Sequence, residues 1–211
     1  MTPPRQADYE NEVRRTWAGH PDSAHDIGHL RRVWANARTL ARGTKADLQV
    51  LEAAAFLHDL VNPPKSSPDR ARASTVSAEA AARFLATTAF PPALIPAVVH
   101  AIAAHSFSAG ITPETEEAMI LQDADRLDAL GAIGLARMFA VAGALGSALF
   151  DPDDPLGRAR PLNDRAFSLD HLETKLLTLP GTMQTETGRA MAEERADWMR
   201  AFRSRLLREL P

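Results

Sequence analysis

Cysteine is absent from the 211 residues, which excludes disulfides and thiolate metal sites. Any metal must therefore be held by imidazole and carboxylate. Aromatic residues make up only 6%, with a single tyrosine, Tyr9. That scarcity, beside abundant Ala and Leu, favours packed helices over sheets, because strands draw on aromatic and β-branched residues. A basic surplus is missing too, the formal net charge being −3. Proteins that bind the phosphate backbone of a nucleic-acid polymer usually carry one, so a small anionic ligand in a local basic pocket fits better. No long uncharged apolar run is present. The best candidate, Gly131 to Phe150, contains Arg137, four glycines and a serine. Neither a membrane span nor a secretory leader is expected, and the sequence reads as cytoplasmic.

What is present is helical periodicity, with 45% hydrophobic residues to fill a core. Tyr9, Val13 and Trp17 recur every fourth residue and predict a first helix ending near Gly19. Further helices are expected over Asp26–Arg42, Ala46–Leu60, Arg70–Thr88 and Pro91–His105. In the third, Asn62-Pro63-Pro64 is the expected stop, because proline breaks the hydrogen-bond ladder. Thr112-Pro113-Glu114 reads as the start of a helix to Leu130, and a glycine-containing helix continues to Gly146. Phe150–Asp164, rich in Asp, Pro and Arg, lacks periodicity and reads as a mobile loop. Closing helices are expected at Leu169–Leu179 and Thr185–Leu210. The expected fold is all-α. It is read as a single domain with a core over about residues 22–150 and C-terminal helices packed on it.

Four polar clusters interrupt these apolar helices: His25-Asp26-Ile27-Gly28-His29, His58-Asp59, His105-Ser106-Phe107-Ser108 and Gln122-Asp123-Ala124-Asp125-Arg126-Leu127-Asp128. His58-Asp59 is the sharpest, because it ends the most hydrophobic helix. A buried carboxylate there needs a cation, an arginine or amide donors. An adjacent imidazole suggests a metal, although an aspartate capping the next turn beside a hydrogen-bonded histidine fits the dipeptide equally well. Together with His29 and Asp125 the pair makes a mixed N/O set. Such a set suits one divalent ion among Mn, Mg, Fe, Co, Ni and Zn without selecting sharply. Four protein ligands on an octahedral ion leave room for water and substrate. Asp123 is expected to face solvent, since Asp125 and Asp128 share a face that excludes it. His20, His100 and His171 read as ordinary surface or core residues.

The ordered pattern His29, His58-Asp59, Asp125 resembles the signature of the HD-domain metal-dependent phosphohydrolases. Its flanking residues are similar to the small stand-alone bacterial branch: His25-Asp26-x-x-His29-x-x-Arg32-Val33, Leu57-His58-Asp59, His105-Ser106-Phe107-Ser108, Asp125-Arg126-Leu127-Asp128 and Lys175-Leu176-Leu177. The likeness spans roughly Asp22 to Arg203. It implies an all-α fold and one divalent metal on the four residues named. It also implies hydrolysis of a phosphorylated small molecule, most readily a nucleotide, at a monoester or pyrophosphate bond. The Glu-Asp pair of the guanosine-tetraphosphate hydrolases is missing after Asp59, where Leu60-Val61-Asn62-Pro63 follows. The Gly-Tyr-Pro of the cyclic-dinucleotide phosphodiesterases is missing throughout. Candidates for the base that orients the attacking water are Asp59, Asp26 and His105. Candidates for phosphate contacts are Arg32, Lys65 and Lys175, each of which also reads as a surface charge. A nucleotide sensor without turnover is the competing reading, and the oligomeric state is open.

Overall fold

A computed structural model describes residues 2–18, 26–61, 72–106 and 109–210. It contains nine α-helices among these residues and no β-strand beyond one isolated bridge. The chain divides into two compact units, Met1–Asp125 and Arg126–Pro211. No single helix is long and apolar enough to cross a membrane.

The N-terminal unit is organised around α3 (Leu48–Leu57), which packs against α1 (Gln6–Thr16), α2 (Ile27–Leu40), α4 (Ala73–Ala86) and α5 (Ile95–His105). Its run Ala53-Ala54-Ala55-Phe56-Leu57 is wholly buried, so it is apolar around its circumference as a central helix must be. The helix is shorter than its pattern predicted at both ends. Asp47 accepts hydrogen bonds from the Gln49 and Val50 amides and starts it. At the other end the His58 ring takes the Ala55 carbonyl, and the Leu60 amide bonds Leu57 O in a tighter turn. The expected stop at Pro63-Pro64 lies outside the described residues.

Glu10 joins α1 to α2, receiving Arg31 Nε and Nη2 at 2.8 and 2.7 Å. These bonds to Arg31 hold the Glu10 carboxyl down at about 2. The fifth expected helix is two pieces. A 3₁₀ turn over Pro92–Leu94 precedes α5, because prolines at the start cannot donate to an α ladder. Helix α6 (Glu116–Asp128) begins later than predicted. Its start is set by Thr115, whose carbonyl and hydroxyl accept the Met119 and Ala118 amides.

In the C-terminal unit, α7 (Gly131–Leu145) is closed by Gly146 at φ 72°, a left-handed turn that glycine adopts without a Cβ clash. The region read as a mobile loop carries a network of ion pairs and hydrogen bonds. Arg160 donates to both Asp170 oxygens at 2.6 and 3.0 Å and lies 3.2 Å from Asp151. Asp154 accepts the Arg158 and Ala159 amides, and Ala148 bridges to Phe167. These bonds have no periodicity to reveal them. The predicted helix Leu169–Leu179 breaks at Lys175 (φ −125°, ψ −60°), giving α8 (Ser168–Thr174) and a 3₁₀ stretch over Leu176–Thr182. Helix α9 (Glu186–Arg208) starts at Thr185, whose hydroxyl accepts the Gly188 amide.

Candidate metal centre

Asp26 caps α2 by accepting the His29 amide at 2.7 Å, and so fixes the first turn from which His29 projects. His58 and Asp59 follow the last residue of α3, and Asp125 stands on α6. These side chains converge within the N-terminal unit. His29 Nε2 lies 3.3 Å from His58 Nε2, 3.5 Å from Asp125 Oδ1 and 3.9 Å from Asp59 Oδ2. His58 Nε2 lies 3.6 Å from Asp59 Oδ2 and 3.8 Å from Asp125 Oδ1. Both histidines are fully buried, whereas Asp59 and Asp125 keep 21% and 31% of their side chains exposed. The donor set therefore opens to solvent on its carboxylate side.

Ring chemistry decides what these nitrogens offer. The Ala55 carbonyl can only accept, so His58 Nδ1 carries the hydrogen of their 2.9 Å bond. His58 Nε2 is then the ring atom that faces the cluster. His105 is arranged alike, with Nδ1 donating to Ile102 O at 2.6 Å and Nε2 facing Asp59 Oδ1 at 3.8 Å. Burial, reinforced by the nearby His58, lowers the pKa of His105, which keeps this imidazole neutral at physiological pH. Burial acts to raise the Asp125 pKa, but His58, His29 and His105 pull it below the ordinary carboxylate value. A first-row ion holds imidazole and carboxylate at about 2.0–2.2 Å, which puts neighbouring ligand atoms about 3.0–3.6 Å apart. The cluster's spacings approach that polyhedron. The residues thus fit a divalent cation; His29, His58 and Asp125 form one trio that could hold it, and His58, Asp59 and His105 another.

Backbone contacts hold each of these residues in place. Trp17 Nε1 donates to the Asp59 carbonyl at 3.2 Å, and Asn36 Nδ2 donates to the Ala124 carbonyl beside Asp125. Gln122 Nε2 reaches Ala104 O, next to His105, and Ser77 exchanges hydrogen bonds with the Val61 N–H and C=O. The sequence reading missed these roles. Trp17 read only as one of the apolar positions recurring every fourth residue, and a side chain that serves a distant carbonyl leaves no spacing signal.

The other predicted residues separate. Arg32 Nη1 and both Asp26 carboxylate oxygens crowd Gly28, where an added Cβ would stand 3.1–3.2 Å from each. Arg32 is therefore placed beside the α2 cap. Lys65 and His25 lie outside the described residues. Lys175 is an exposed residue in the other unit. Asp123, expected to face solvent, is completely buried. Helix α6 is enclosed on most sides (Leu121, Gln122, Asp123, Ala124, Leu127 and Asp128 are all buried), so leaving the face of Asp125 and Asp128 does not bring Asp123 to solvent, and Asp125 is the more open acid. Arg126 donates to Thr182 O, and Asp128 pairs with Arg137 at 2.7 Å. His100 Nε2 accepts the Glu114 amide, an ordinary polar role as expected.

The HD domain family model matches residues 26–130, the span that supplies all of these converging side chains. Over 208 residues the chain is 34% identical to Bacillus subtilis YpgQ, itself uncharacterised, covering 95% of this chain and 93% of that one. The crystal structure of YpgQ in complex with ADP superposes with a TM-score of 0.74 at 31% identity, over 98% and 95% of the two chains. An HD-superfamily hydrolase from Bacillus thuringiensis matches with a TM-score of 0.73 at 30% identity, over 97% and 95%. The agreement between local pattern, ligand geometry and whole-chain likeness means that the chain belongs to the HD-domain superfamily of hydrolases.

Proposed function

We propose that the chain is a metal-dependent phosphohydrolase whose substrate is a nucleotide, cleaved at a phosphomonoester or pyrophosphate bond. The observation that carries this is the convergence of His29, His58, Asp59 and Asp125 into a lone-pair-rich set that opens on its carboxylate side. YpgQ in complex with ADP supports a nucleotide as the ligand class. In this reading the four residues hold one divalent ion. When bound, that ion supplies Lewis-acid polarisation of a phosphoryl oxygen.

The protein's own groups do the rest. Asp59 Oδ1 and His105 Nε2 are two acceptors 3.8 Å apart, placed to orient the hydrogens of an attacking water. His105, being neutral, takes the proton. Asp26 acts as a positioning residue through its bond to the His29 amide. Arg32, beside the Asp26 cap, is the member of the predicted cation set that belongs to the N-terminal unit, and it is the candidate for phosphate contact. Lys65 and Lys175 stay as proposals from the sequence.

The test is product analysis with a panel of nucleoside mono-, di- and triphosphates in the presence of Mn²⁺. Release of pyrophosphate from a triphosphate assigns anhydride cleavage, and release of orthophosphate from a monophosphate assigns a nucleotidase. Tight binding with no turnover of any member makes the protein a sensor and overturns the proposal.

A further inference from the structure

Helix α9 places Trp198 near its midpoint, and that side chain is 48% exposed although it stacks on Phe202. Met191, Glu194, Trp198, Ala201, Arg205 and Arg208 follow one another at alternating steps of three and four residues. This is the spacing of a single outward stripe able to face another helix. Every member is exposed except Met191, which is half-buried. The helix is also polarised along its length. Acidic side chains outnumber basic ones over residues 186–197, and basic ones dominate over 198–208.

We propose that this stripe is an interface between two copies of the chain, paired antiparallel through α9 about a two-fold axis. The register follows from the stripe. With the axis crossing between Met199 and Arg200, Glu194 of one copy meets Arg205 of the other, and Trp198 meets the small Ala201. Both contacts occur twice, as an isologous interface demands. The acidic half of each helix lies along the basic half of its mate, which disfavours the parallel arrangement. Trp198 sits at the centre, where a large aromatic contributes most. Arg205 at present pairs with Glu209 across an exposed i,i+4 contact, which costs little to give up. A single helix pair buries less than the roughly 800 Å² per partner of a standard interface, so the dimer is weak, with dissociation in about the micromolar range.

Sedimentation velocity on the full chain from about 1 to 200 µM tests this, around the dissociation range expected for such a contact. The wild type shifts from monomer to dimer across the series. Trp198→Asp, Glu194→Arg and Arg205→Glu each stay monomeric at the concentration where wild type is dimeric, with unchanged helical circular dichroism. An equimolar mixture of Glu194→Arg and Arg205→Glu chains recovers the dimer, because each supplies the charge the other has lost. A wild type that stays monomeric throughout overturns the proposal. So does a dimer that survives Trp198→Asp, or a mixture that fails to associate.

Discussion

Two acid-rich clusters in this molecule resemble each other in composition and differ in how their charge is answered. Around Asp151, Asp154 and Asp170, the carboxylates meet donors from within the same cluster: the Arg160 guanidinium and backbone amides. Arg160 also lies 4.5 Å over the Phe167 ring. Around Asp59 and Asp125, the facing groups are imidazole nitrogens, and the N–H groups of His58 and His105 are spent on the backbone carbonyls of Ala55 and Ile102. The first arrangement gives its carboxylates cationic and amide donors within a segment that has no regular structure, although Arg160 Nε, 3.2 Å from Asp151, makes no hydrogen bond. The second gathers lone pairs at close range, which only a cation, or protons, can satisfy. Neither acid content nor burial separates a structural cluster from a binding one. The direction of the donors does.

The comparison can be broken most severely at Asp59. Replacing Asp59 with Ala is expected to abolish metal loading and lower turnover by about a thousandfold or more, read by metal content and nucleotide hydrolysis. Loss of His105 is expected to act differently. His105→Ala keeps the bound metal and loses about a hundredfold in kcat, the range of a lost general base. Equal loss of metal in both variants would make His105 a ligand. In the Asp170 cluster, Arg160→Ala takes the guanidinium away from a buried carboxylate and lowers the midpoint of urea unfolding. Its metal stoichiometry should be untouched.

The smallest effect lies at the α1–α2 clamp. The Glu10 carboxyl titrates at about 2 when folded, against an ordinary 4.5. Between these values the unfolded chain binds more protons. The pair's contribution is therefore fully present above pH 4.5 and fades as the pH falls toward 2. Arg31→Ala should flatten that part of the stability–pH curve, as followed by circular dichroism in urea at several pH values. An unchanged slope would show that Arg31 does not set the Glu10 titration.

The contrast also explains which parts of the molecule were legible in the sequence. Helix identity was readable because apolar spacing carries it, as in Tyr9 and Val13, both buried, and along α2, where Leu30, Val33, Ala37 and Leu40 are buried and Ile27 and Trp34 half-buried. The convergence of His29, His58, Asp59 and Asp125 was anticipated because polar residues at the ends of apolar helices need a reason to be there. Helix ends were less legible. Thr112 was the expected cap of α6, and the hydroxyl that caps it belongs to Thr115, three residues on. The burial of Asp123 was hidden because α6 is enclosed on most sides. The Arg160 lock was hidden because its bonds join an aperiodic segment to α8 at separations that no local pattern records.

Calorimetric titration of Mn²⁺ into the metal-free protein, beside Asp125→Asn and Arg160→Ala, tests the central claim most directly. Saturation at one ion per chain in the wild type and in Arg160→Ala, with no binding by Asp125→Asn, is the predicted result. Binding of equal strength and stoichiometry in all three, or in none, would contradict a cation held by His29, His58, Asp59 and Asp125.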